Sequence, residues 1–294
     1  MRLLVIGKSG QLARAIAEQE PSATFLNRQA CDLSKGAEHI RSALKEPLSH
    51  ADAVIIAAAY TAVDQAESDV ETAHTVNTVA PGVIAELTAE KTIPLVHIST
   101  DYVFQGDATK PYRPDNPTDP INVYGRTKRD GEIAILAANP RSAILRTSWV
   151  YDASSKNFMT TMLRLGQTRD TLTVVNDQIG RPTYAPDLAN AAITTAKALH
   201  KGKANASGMF HVSNSGSQIS WADFAKAIFS GAEHYGSSPV IVTEIPSSDY
   251  PTPAKRPAFS VLDIHQFEDV FDTSLSHWQN GLQRALEQYY AIRP

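Results

Sequence analysis

Short, uninterrupted apolar runs recur along the first half of the chain, at 2–6, 25–26, 53–59, 95–99 and 143–146. Stretches with helical spacing fall between them, near 11–19, 67–90 and 123–138. A strand that is apolar at every position, rather than at every second one, suits a sheet covered on both faces, and alternation with helices makes that sheet parallel. The second half is mixed. The spacing predicts a helix over 187–200 that returns to the sheet and a strand at 209–213. A further helix begins at Ser220-Trp221-Ala222-Asp223, whose order fits a capping box, and runs through Ile228. A strand at 239–245, a wrapped proline-rich loop at 246–257 and a last helix at 275–290 complete the pattern. The expected fold is α/β: a Rossmann-type doubly wound parallel sheet in residues 1–148, rejoined by roughly 185–208, with a smaller mixed α/β substrate lobe in 149–294.

Composition narrows the function without naming it. The chain has 294 residues, long enough for a large core plus a lobe, and 43% hydrophobic with 20% charged residues is globular. A net charge of −4 offers no basic field for nucleic acid. One cysteine rules out an internal disulfide, and no Cys/His cluster has zinc spacing. His97 and His211 lie in apolar, strand-like runs and are expected to be packed rather than metal-bound. The longest apolar run, near 53–59, is too short to span a bilayer, and no leader precedes the first strand. A soluble cytoplasmic protein is the expectation.

Ligands of open parallel sheets bind beyond the strand C-termini, so the chemistry is sought there. The densest signal is Tyr124-Gly125-Arg126-Thr127-Lys128 with Thr100 upstream. On a helix a phenol and an ammonium four residues apart share one face. The ammonium should stabilise the phenolate and lower a pKa that is otherwise about 10. Such a tyrosine can protonate a carbonyl oxygen while hydride arrives at the carbon. Taken alone, the same spacing also fits a plain surface pair.

The dinucleotide would sit at the other end. Leu3 to Ile6 runs into Gly7-Lys8-Ser9-Gly10-Gln11-Leu12-Ala13 and then a helical stretch. This is a Gly-x-x-Gly-x-x-Ala form of the dinucleotide turn, with Gly7 for the turn, Gly10 for close approach to the pyrophosphate and Ala13 for packing. After the second strand stand Asn27 and Arg28 rather than a carboxylate. A basic residue there accepts a 2′-phosphate, which favours NADPH, with NADH possible.

Six motifs occur in order: Ala57 to Asp64, Ser99 to Phe104, Tyr124 to Lys128, Arg146 to Tyr151, Asn176-Asp177-Gln178 with Gly180, and Tyr250 to Pro257. Together they resemble the dTDP-4-dehydrorhamnose reductases, within the extended short-chain dehydrogenases, over residues 1–290. The resemblance implies NADPH-dependent reduction of the 4-keto group of dTDP-4-dehydro-β-L-rhamnose, the last step of dTDP-L-rhamnose synthesis. It implies that Tyr124 donates the proton, that Lys128 binds the nicotinamide ribose, and that Thr100, often serine in relatives, bonds the carbonyl oxygen. Gly7, Gly10, Gln11, Leu12, Arg28, Asp32, Leu33, Ala59, Tyr60 and Thr61 become cofactor contacts, joined by Tyr124 and Lys128. Asp101 and Trp149 become sugar contacts, and Arg256, with Arg181 and Lys255, is a candidate for the nucleotide diphosphate.

Two departures accompany the resemblance. Some members pair through a metal held by glutamates, where this chain has Ala15 and Pro186. No metal is therefore expected, and a monomer or weak homodimer is. Relatives often carry histidine at the position of Tyr60. Two alternatives stay open: another nucleotide-sugar 4-ketoreductase, such as a 6-deoxytalose-forming enzyme, and a non-catalytic NADP-binding subunit like that of methionine adenosyltransferase.

Overall fold

Leu3–Ile6 forms β1, buried at all four positions, and its two faces feed two different cores. Leu3 and Val5 pack on one side of the sheet, Leu4 and Ile6 on the other. This is the double covering that an uninterrupted apolar strand requires. The computed structural model describes residues 1–292; Arg293 and Pro294, at the end of the expected substrate lobe, lie outside the described residues.

β2 (Thr24–Leu26), β3 (Ala53–Ile56), β4 (Leu95–Thr100), β5 (Ser142–Thr147) and the Gly208–His211 strand join β1 in a six-stranded sheet. The order is β2-β1-β3-β4-β5 and then Gly208–His211, and every pairing is parallel. The chain leaves β1 to one side for β2 and reappears on the other side as β3. The crevice between β1 and β3 is thus the switch point where doubly wound sheets bind nucleotides. Helix α1 (Gln11–Gln19) and the Ala185–His200 helix cover one face. Helix α2 (Ala37–Leu44) and the Ala80–Glu90 helix cover the other.

A second core lies apart from the sheet. Met159, Met162 and Leu163 of the Phe158–Gly166 helix meet Phe224, Ile228 and Phe229 of the Trp221–Glu233 helix and Leu282 and Leu286 of the Trp278–Ala291 helix. Two strands, Thr171–Val175 and Ile241–Ile245, pair in parallel beside it. The capping box is present at Ser220 and Asp223, with both reciprocal bonds made. Among the described residues no helix is long and apolar enough to cross a membrane.

Three elements differ from expectation. β3 stops at Ile56, and Ala57 to Thr61 leave the sheet as a loop. The expected 67–90 helix is divided into an α-helical Val70–His74, a π-helical Thr75–Val79 and an α-helical Ala80–Glu90. Pro81 has no amide hydrogen to give to the carbonyl of Asn77 four residues back, so the regular ladder cannot continue through it. The Thr171–Val175 strand, whose partner lies far along the chain, has no counterpart in the sequence reading.

Candidate active site

β4 ends at Thr100, and the Val123–Ala138 helix begins beside it, capped by the Asn122 side chain on the Gly125 amide at 2.8 Å. Gly125 allows that approach, because a Cβ there would strike the carbonyl of Tyr102. Tyr124 and Lys128 accordingly sit on the first turns of the helix against the end of β4. The Thr100 hydroxyl lies beside the Tyr124 phenol. Burial pushes the phenol up to about 12, while Thr100 pulls it back and Asp101 adds to the rise. The Tyr102 ring meets it edge-on at 5.6 Å.

The lysine does not lower the tyrosine in this structure, contrary to expectation. Lys128 is 1% exposed and its Nζ donates to the carbonyl of Ile98 at 2.7 Å and lies 2.9 Å from Nε2 of His97. Its charge is held by β4, and desolvation governs the phenol. Burial also brings Lys128 down to about 8, against the upward pull of Glu132. Glu132 itself is paired bidentately with Arg146 of β5, at 2.9 and 2.7 Å, and that buried pair clamps the helix to the sheet.

Asp101 follows Thr100 and is 2% exposed. Its Oδ1 accepts from the Thr100 hydroxyl at 3.0 Å, while Oδ2 has no partner among the described residues. Burial raises this carboxyl to about 6; Ser260 and Thr100 oppose the shift, Ser260 without forming a well-shaped bond to the bare oxygen. The Thr100 oxygen also accepts from the Tyr102 amide at 3.2 Å. A hydroxyl has one hydrogen and two lone pairs. With Asp101 ionised, Thr100 has its hydrogen committed and one lone pair left. To donate to a substrate oxygen it must turn that hydrogen away from Asp101.

The glycine turn after β1 shows two different surroundings. Gly7 has φ of 118°, and a Cβ there would lie 3.1 Å from the Ala58 nitrogen, so both backbone conformation and space demand glycine. A Cβ on Gly10 would meet nothing within 4 Å. Gly10 caps α1 without a side-chain bond, and the first turn holds no acidic residue. Unclaimed amides and a positive dipole end facing open space suit a diphosphate. Leu12 is buried in the core, which leaves only its backbone for a ligand. Gln11 reaches across to the carbonyl of Val150 at 3.3 Å and accepts from Asn157 at 3.2 Å. Arg28 is exposed and contacts Asp32 at 3.2 Å and Ser34 at 3.4 Å. Asp32 caps a short 3-10 turn through the Ser34 amide, and Leu33 is core. Ala59 and Tyr60 are half-buried and Thr61 is exposed on the loop after β3.

The sugar-side candidates are built differently from one another. Trp149 has φ of 48°, a strained value for a bulky residue, and its indole stacks on Trp221 at 3.6 Å and 11°. Gly180 makes room for it, since a Cβ there would lie 2.5 Å from the ring. Arg256 is not a free cation. Its guanidinium holds Asp64 at 3.0 and 2.8 Å and Thr252 at 2.6 Å, tying the proline-rich segment to the loop after β3. Arg181 is half-buried with its Nε unpartnered, and burial lowers its pKa.

The sequence reading missed Asn77, Asp64, Trp221 and the partnership of His97. Asn77 lies in the π-helical turn, and its amide takes the Tyr60 amide hydrogen at 2.9 Å, donates to the Tyr60 carbonyl at 3.1 Å and to Thr127 at 3.1 Å. It thereby fixes the loop after β3 against the Tyr124 helix. π-helical turns are concentrated at functional sites; Pro81 marks a break in the ladder, but nothing in the residue types gives Asn77 its partners. His97 and His211 are both buried, with burial lowering each.

A family model described as the RmlD substrate binding domain matches residues 1–291. A dTDP-4-dehydrorhamnose reductase of Sinorhizobium fredii is 43% identical over 97% of this chain and 96% of its own. A protein of Streptomyces antibioticus named as a probable dTDP-4,6-dihydroxy-2-methyloxan-3-one 4-ketoreductase is 37% identical over 99% of this chain and 96% of its own. Among solved structures, the dTDP-4-dehydrorhamnose reductase of Bacillus anthracis in complex with NADP superposes with a TM-score of 0.87. It shares 32% identity and covers 98% of this chain and 99% of that one.

Proposed function

The chain belongs to the RmlD substrate binding domain family, and from that membership we propose that it reduces the 4-keto group of dTDP-4-dehydro-β-L-rhamnose to give dTDP-L-rhamnose with NADPH. The observation that carries the reading is the meeting of the Thr100 hydroxyl and the Tyr124 phenol at the end of β4, with Lys128 one turn behind. NADPH, when bound, supplies the hydride. The residues of the chain manage everything else.

The Gly7 to Leu12 turn and the first amides of α1 hold the pyrophosphate, and Arg28 with Ser34 takes the 2′-phosphate. Ala59, Tyr60 and Thr61 border the nucleotide at the switch point, and Asp32 and Leu33 shape the adenine end. Lys128 binds the nicotinamide ribose. Tyr124 gives its phenolic hydrogen to the substrate oxygen as that oxygen gains negative charge, and Thr100 donates a hydrogen bond to the same atom. A phenol near 12 stays protonated at neutral pH and is still acidic enough to give its proton to an alkoxide. Asp101 and Trp149 border the sugar, the indole offering an apolar plane to the ring's C–H face. Arg256 would meet the diphosphate by sharing its charge between Asp64 and the ligand.

The division of labour follows the fold: residues 1–148, with 185–208, hold the cofactor, and most of 149–294 holds the nucleotide-sugar. We assign the protein to the cytoplasm as a monomer or weak homodimer. The Streptomyces relative favours a second reading, reduction of a different 4-keto sugar on the same nucleotide. NADPH oxidation with enzymatically made dTDP-4-keto-6-deoxy-L-mannose tests the proposal. The wild type should turn over and the Tyr124→Phe variant should lose at least about a hundredfold in kcat with little change in NADPH affinity. Equal rates for the two proteins would remove Tyr124 from the mechanism, and a product other than dTDP-L-rhamnose would favour the second reading.

A further inference from the structure

His97 is a buried imidazole that the chemistry above does not use. It lies three residues before Thr100 on β4, is 1% exposed, and makes one hydrogen-bond contact, between Nε2 and the Lys128 ammonium at 2.9 Å. Among the described residues its Nδ1 has no partner. A buried polar atom left unsatisfied is costly, so what the other end of the ring does needs an account.

The hydrogen count on Lys128 gives the ring a use. An ammonium has three hydrogens and no acceptor. One goes to the Ile98 carbonyl at 2.7 Å and a second is directed at His97 Nε2. Both partners belong to β4, so the strand fixes the lysine head and leaves one hydrogen for a group outside it. Without His97, two hydrogens would be loose in a buried site and the ammonium could turn about the single bond to Ile98.

We propose that His97 is a positioning residue for Lys128: as a neutral imidazole protonated on Nδ1, it accepts a hydrogen bond from Nζ and aims the remaining ammonium hydrogen at the cofactor ribose. The proposal rests on the reading of Lys128 as the residue that binds the ribose. Burial and the neighbouring ammonium keep the ring neutral, as the role requires. The assignment explains the bare Nδ1. With Nε2 required as the acceptor, the proton must sit on Nδ1, where nothing receives it.

The tautomer can be read in the wild-type protein, with a variant needed only to assign the signal. In a protein labelled with nitrogen-15 in histidine, the signal lost in His97→Gln identifies the residue, and its shifts report which nitrogen carries hydrogen. Protonation at Nδ1 supports the proposal; protonation at Nε2 overturns it. Kinetics supply the second arm. His97→Leu should raise the NADPH KM roughly tenfold, the order expected when a buried donor loses its acceptor, with a smaller change in kcat. His97→Gln, whose Oε1 can accept in the same place, should recover most of that loss. Variants that both bind NADPH like the wild type, while Lys128→Met does not, would overturn the role of His97 alone. Unchanged NADPH binding in Lys128→Met would instead overturn the reading of the lysine. Should His97→Leu fail to fold, the tautomer and the Gln variant decide.

Discussion

Replacing Asp101 by asparagine should stabilise the protein at neutral pH and slightly destabilise it in acid. The carboxyl is 2% exposed and burial lifts it from 3.8 to about 6. A shift of that size makes the ionised form about 3 kcal/mol costlier in the folded state than in the unfolded one. The sign follows from the direction. A carboxyl whose folded pKa is raised contributes stability that is fully present below its unfolded pKa and is lost as pH rises through about 6. Asparagine has the same shape and never ionises. Its amide oxygen can still accept from the Thr100 hydroxyl, but the amide hydrogens near the present position of Oδ2 would be unmatched, which takes back about 1 kcal/mol. A net gain of about 2 kcal/mol at pH 8, crossing zero between about pH 4 and 5 and tending to a loss of about 1 kcal/mol in stronger acid, is the expectation. Urea melts of both proteins at pH 4, 6 and 8 measure it. A difference that does not vary with pH, or an asparagine variant less stable at pH 8, would show that the carboxyl is not held by burial as argued.

Arg28→Ala should weaken NADPH more than NADH, because its removal leaves the 2′-phosphate without its cation; a parallel loss of both affinities would cancel the phosphate assignment. Gly180→Ala would place a methyl 2.5 Å from the Trp149 ring and displace it. The sugar-nucleotide KM should rise several-fold, at constant NADPH affinity, as an apolar contact worth about 1 kcal/mol is lost. An unchanged KM would take Trp149 out of the sugar site.

Much of the scaffold is readable from local pattern. The four apolar residues of β1 demand covering on both sides and receive it, and Ser220 with Asp223 announces a helix start that the structure places there. Gly7 and Gly10 are legible for the same reason: the physics that selects them acts within a few residues. What was not legible depends on distant partners. Tyr124 and Lys128 are four apart on one helix, and their spacing suggests a mutual pKa effect. The strand that engages the lysine through His97 and Ile98 lies thirty residues away in sequence and changes the outcome. Arg256 reads as a free cation until Asp64, 192 residues earlier, is found against it. Asn77 is an ordinary helix residue by type, and only the break imposed near Pro81 and the closeness of Thr127 give it a task. The Ile241–Ile245 strand falls within the expected 239–245, but its parallel partner Thr171–Val175 is not legible, because it lies far earlier in the chain and is not apolar throughout.

In the proposed reaction hydride reaches C4 of a 6-deoxyhexose while Tyr124 protonates the oxygen. Single turnover with NADPH deuterated at the transferring position, followed by NMR of the sugar nucleotide, tests it most directly. One deuterium is expected at C4 of dTDP-L-rhamnose and at no other carbon. Deuterium elsewhere on the sugar, or a product mixture of both C4 epimers, would contradict it.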